Sequence, residues 1–164
     1  MEIQLKRNQN ILAVTGAGVA VFGFWSVVKT IMYCVLSPEA IEAMLLAELE
    51  TNPDIPLGLL TNTFYLVLGV IFLMDLAIRL FICICARAQA QGRERGNAYI
   101  IMTGVMLMTY LALFIYNASA FYGATSSVLD TAISILIELT SIYTLFELMV
   151  SAIRVKKLTK IRKG

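Results

Sequence analysis

PLGLLTNTFYLVLGVIFLMDLAIRLFICICA, residues 56–86, is the stretch on which the fold turns. As a helix rising about 1.5 Å per residue, it outlasts the roughly 30 Å hydrocarbon core of a bilayer. It carries only two charges, Asp75 and Arg79. Either one alone would cost roughly 2.5 to 3.5 kcal/mol at the centre of an inserted helix. Spaced four residues apart, they share one face one turn apart, so the span brings a counter-charge for its own arginine.

Three further apolar runs, at about 11–36, 98–122 and 131–153, match this one in length and texture. The whole chain is 59% hydrophobic and only 15% charged. Charged residues make up about a quarter of an ordinary soluble domain. Mean hydropathy is +0.81. With 164 residues, four spans leave no room for a separate soluble domain, so residues 1–164 read as one membrane domain. The first run is about 26 residues long, against the 7 to 15 of a signal-peptide core, and is read as an uncleaved span. Short connections make successive helices antiparallel neighbours. The expected fold is therefore an all-α integral membrane protein, an up-down bundle of four transmembrane helices.

Charge outside the spans sorts by side. Lys6, Arg7, Arg87, Arg93, Arg95 and the tail 154–164 fall in the N-terminal tail, the second connection and the C-terminal tail. The first and third connections have no basic residue and carry Glu39, Glu42, Glu48, Glu50, Asp54 and Asp130. Basic residues resist translocation, so both termini are expected in the cytoplasm, with the chain in a plasma or cytoplasmic membrane. The tail RVKKLTKIRKG reads as the charged flank of the last span, and no nucleic-acid partner is inferred from it. On the opposite side, Ser37 and Pro38 can open a short helix whose Ile41, Met44, Leu45 and Leu49 form one apolar stripe. Its acidic outer face suits it to lie across the outer end of the bundle, between the first two spans.

Catalytic chemistry has little to work with. The chain has no histidine, which removes histidine-ligated haem and zinc, histidine triads and histidine proton relays. Cys34, Cys83 and Cys85 form no C-x-x-C pair, and the last two project from nearly opposite faces of a helix. No phosphate-binding, dinucleotide-binding, nucleophile-elbow or zinc-protease motif is present. No enzyme activity, cofactor or metal is expected.

The chemistry that remains lies inside the spans. At about 1.5 Å per residue, Lys29 and Glu138 both lie roughly 12 Å inside the outer boundary. Arg79 and Glu147 lie roughly 11 to 12 Å inside the inner one, with Asp75 close to the midplane. This predicts Lys29 paired with Glu138, and Arg79 neutralised by Asp75 and by Glu147 of the fourth span. Thr61 and Tyr65 share the Asp75 face, and Thr103, Tyr110 and Asn117 form a second polar stripe on the third span. Gly16, Ala20 and Gly23 make a seam where another helix can come close, either inside the fold or in a second copy. Polar residues on two sides of the fourth span make that helix another candidate for self-association.

Two functions fit these residues. One is the handling of an ion, a proton or a small polar or cationic solute by an intramembrane charged network, in a homo-oligomer. Asp75, Arg79, Glu138, Lys29 and Glu147 would bind the solute, and Thr61, Tyr65, Thr103, Tyr110 and Asn117 would line its path. The alternative is a non-transporting accessory or immunity-type subunit whose buried charges recognise another membrane protein.

Overall fold

A computed structural model describes residues 2–36, 38–51, 56–93, 96–121 and 128–163. Among these the regular structure is entirely helical: α1 Glu2–Leu36, α2 Pro38–Thr51, α3 Leu57–Ala90, α4 Ala98–Phe121 and α5 Val128–Lys163. Four of these, all but α2, are long and apolar enough to cross a membrane. Their large apolar side chains lie mostly on the outside, among them Val14, Val21, Leu66, Leu73, Val105 and Leu136. A surface of that kind is compatible with an integral membrane protein.

The helices overrun the apolar runs that predict them. α1 begins nine residues before Ile11 and opens on Glu2, whose charge complements the helix N-terminus. α5 continues through the basic tail as far as Lys163, where a flank outside the span was expected. No proline or glycine interrupts it, and long basic side chains are good helix formers. α3 runs on to Ala90, so part of the expected connection is helical.

The helix ends have local causes. The Pro56 carbonyl accepts from the amides of Leu59 and Leu60 at 2.9 and 3.2 Å, opening α3 at a residue with no amide proton of its own to satisfy. At its other end Gly92 has φ +83°, with its amide donating to the Gln89 carbonyl at 3.0 Å and that of Arg93 to Ala88 at 3.1 Å. This two-bond closure needs a left-handed residue, which glycine supplies without steric cost. The Asn97 carbonyl then accepts from Ile100 and Ile101 and starts α4.

α2 is the helix expected between the first two spans. Ile41 and Leu45 are buried, but Met44 is exposed, so the apolar stripe is narrower than predicted. The side chain of Leu49 lies outside the described residues.

Two compact units divide the chain: residues 1–21 with 79–164, and residues 22–78. The core of the first is built on one repeating pattern. α5 buries Ser141, Leu145, Leu148, Ala152 and Val155; α4 buries Tyr99, Thr103 and Met106; α3 buries Arg79, Ile82, Ala86 and Gln89; α1 buries Leu5, Leu12 and Val19. Steps of three and four residues, or of seven in α1, keep one seam facing its neighbours along each helix. α4 packs along α5. Within this unit the first part of α1 lies between α5 and the last turns of α3: a Cβ built on Gly16 would sit 2.9 Å from the Ala86 Cβ, and one built on Gly18 would sit 3.3 Å from the Thr144 methyl. Gly16 thus packs against an internal neighbour.

Candidate functional site

Arg79 is the largest fully buried side chain of the core, with 2% of its surface exposed. Its guanidinium donates through Nη2 to the Tyr110 hydroxyl and through Nη1 to the Val19 carbonyl at 3.4 Å. Its Cζ lies 5.0 Å from the centroid of the Tyr110 ring. A guanidinium over an aromatic face gains both electrostatic attraction and stacking. One side chain of α3 therefore ties α1 to α4.

The neutralising carboxylate expected from the last span is not among these contacts. Glu147 instead lines a groove of ≈ 500 Å³ between the first turns of α1, through Gln4, Arg7, Asn8 and Ile11, and the end of α5, through Arg154, Lys157, Leu158 and Ile161. The depth estimate missed this because two residues at one level of a bundle can still face different neighbours. Asp75 stands one turn before Arg79 on α3 and is half-buried.

A second polar cross-tie lies nearer the basic end. Gln89 Nε2 donates to the Ala152 carbonyl at 2.9 Å, and the Tyr99 hydroxyl donates to Gln89 Oε1. Tyr99 and Gln89 are both buried. Gln89 thus joins α3 to α4 and α5. Sequence reasoning missed it, because RAQAQ reads as a polar connection. The signal that could have found it is periodicity: Arg79, Ile82, Ala86 and Gln89 continue one three-four seam past the end of the apolar run.

Other predicted residues turn inward on their own helices. Thr61 donates to the Leu57 carbonyl at 2.9 Å and Thr103 to that of Tyr99 at 2.7 Å. A hydroxyl bonded to the carbonyl one turn back is satisfied without a ligand. Tyr65 is 40% exposed and packs edge-on against Phe64. Lys29 is exposed and belongs to the unit 22–78, whereas Glu138, half-buried, belongs to the other. The side chain of Asn117 lies outside the described residues. Among the described residues, no three of His, Cys, Asp or Glu gather where they could hold a metal ion.

The outer face of α5 has a feature of its own. Leu136, Leu139, Tyr143 and Phe146 are exposed in one stripe, with Tyr143 at 65%. Thr140, on the same stripe, donates to the Leu136 carbonyl at 2.7 Å. The Tyr143 hydroxyl has no hydrogen bond among the described residues. No family model, curated protein or solved structure matches the chain.

Proposed function

We propose that this chain is an integral membrane assembly subunit: an up-down bundle of four transmembrane helices, both termini cytoplasmic, that works by lateral association through the outer face of α5. The observation that carries this reading is Tyr143. Counted along α5, it lies about 16 to 20 Å from both Asp130 and Arg154, close to the middle of a membrane-crossing segment. Tyrosines facing lipid usually sit at the two interfaces, where the hydroxyl reaches water. At the midplane the hydroxyl has no water and no acceptor among the described residues, and an unsatisfied polar group in hydrocarbon costs several kcal/mol. A second copy of α5 removes that cost, because it offers Thr140 and Tyr143 oxygens at the same depth.

The buried charge supports the same reading. Arg79 spends donors on Val19 and Tyr110, which suits a cation that fixes helix positions better than one that waits for a solute. Tyr143→Phe removes two hydrogen bonds from a two-fold dimer. At roughly 0.6 to 2 kcal/mol each, their loss raises the dissociation constant in detergent about tenfold to nearly a thousandfold. Replacing Tyr143 with a benzophenone amino acid should yield cross-linked dimers in native membranes. Cross-links to lipid alone, together with an unchanged monomer–dimer equilibrium for Tyr143→Phe, would refute the assembly. If purified protein in liposomes conducts protons or monovalent cations, and Asp75→Asn abolishes that flux, solute handling is the function instead.

A further inference from the structure

We infer that the groove between the first turn of α4 and the basic end of α5 holds one anionic phospholipid of the inner leaflet. This goes beyond lateral assembly and does not depend on Tyr143. The groove is open, with a volume of ≈ 530 Å³, and is lined by Asn97, Ile100, Ile101, Ile153, Lys156, Lys157 and Lys160. Its polarity is graded along the helices. Ile153 and the two isoleucines of α4 lie on the side of the apolar segments, while the lysines continue α5 by one to two turns beyond them. Ile101 and Ile153 are more than half exposed, so the apolar wall opens toward the acyl chains.

Lys156 donates to Asn97 Oδ1, which fixes one ammonium at the mouth of α4. Lys157 and Lys160 remain exposed beside it. Three cations within five residues of one helix match a phosphodiester, and the isoleucines match the first carbons of its chains. A free phosphate would use only the lysines. The volume suits a headgroup and the start of a chain rather than a whole lipid. The neighbouring groove along α1 is less suited to an anion, because Glu147 is part of its lining.

The test uses the full chain in detergent, read by native mass spectrometry. The probes are phosphatidylglycerol, phosphatidylcholine with the same acyl chains, and inorganic phosphate. One equivalent of phosphatidylglycerol should bind in preference to phosphatidylcholine, and millimolar phosphate should not displace it. Each basic residue near an anionic surface contributes about 1 kcal/mol, so Lys157→Gln with Lys160→Gln should weaken phosphatidylglycerol roughly thirtyfold. Lys6→Gln with Arg87→Gln removes the same charge from exposed positions elsewhere and should change affinity less than threefold. With unsubstituted protein, a phosphatidylglycerol carrying a photoreactive acyl chain should label residues 97–101 and 153–160. Equal weakening by both double variants, equal binding of the two lipids, displacement by phosphate, or labelling elsewhere would each overturn the site.

Discussion

The tight approach of α1 and α3 at Gly16 makes a quantitative prediction. A Cβ at this position would lie 2.9 Å from the Ala86 Cβ, with Cys83 carbonyl oxygen and Cα at 3.7 and 3.9 Å behind it. Two methyl groups need more than half an ångström beyond that distance, and α3 can supply it only by moving its backbone away from α1. Overpacking of this kind costs about 1 to 3 kcal/mol. Alanine in place of glycine favours the helix by about 1 kcal/mol. Gly16→Ala should therefore destabilise by up to about 2 kcal/mol net. Two other glycines calibrate the measurement. A Cβ on Gly69 meets nothing within 4 Å, so Gly69→Ala should stabilise by about 0.5 to 1 kcal/mol. Gly18→Ala, opposed only by the Thr144 methyl at 3.3 Å, should fall near zero. Ala86→Gly in the Gly16→Ala chain removes the opposing methyl and should recover most of the loss. Unfolding of the purified variants in mixed micelles with rising dodecyl sulfate, followed by circular dichroism, gives the order. If Gly16→Ala stabilises as much as Gly69→Ala, α1 and α3 do not approach at this point.

Two more predictions follow from the buried polar groups and the charge distribution. Gln89→Leu deletes the bond to Ala152 and strands the Tyr99 hydroxyl, and should cost about 2 to 4 kcal/mol, part of which Tyr99→Phe restores in the same chain. Ser151, whose buried hydroxyl has no hydrogen-bond partner among the described residues, should tolerate Ser151→Ala with no loss or a gain of up to about 1 kcal/mol in the same unfolding assay. In a chain with Cys34, Cys83 and Cys85 replaced by alanine, a membrane-impermeant thiol reagent should label Glu48→Cys on intact cells and leave Glu2→Cys and Lys160→Cys untouched. The reverse pattern would invert the proposed topology and move the lipid groove to the outer leaflet.

The number and nature of the long helices were legible because hydropathy over some twenty residues is a strong signal, little affected by which neighbour a residue faces. Their ends were less so: the polar segments at Glu2–Asn10, Arg87–Ala90 and Arg154–Lys163 are helical, and polarity alone does not distinguish a loop from a helix that leaves the apolar layer. For the buried charge, the sequence announced that Arg79 needs partners but not which ones. Depth along a helix follows from counting residues, whereas azimuth depends on how the helices are turned against one another. So Tyr110, placed on a polar stripe, proved to hold Arg79, and Glu147, counted to the same depth as Arg79, faces the groove beside Arg7 and Arg154. Gly16 was legible as a seam but not as to its occupant, since small residues admit any close neighbour.

The unbroken course of α5 through the basic residues to Lys163 has a practical use. A helical protein joined in phase at that end would move with α5 as a single rod, not swing on a tether. Each residue inserted at the junction would turn the attached mass by about 100° and advance it by about 1.5 Å. A small set of such fusions would give a chain of only 18.1 kDa a rigid fiducial for single-particle imaging. The set would also report the continuity of the helix: a rod yields orientations that step with the insertions, and a hinge yields one blurred distribution for all of them.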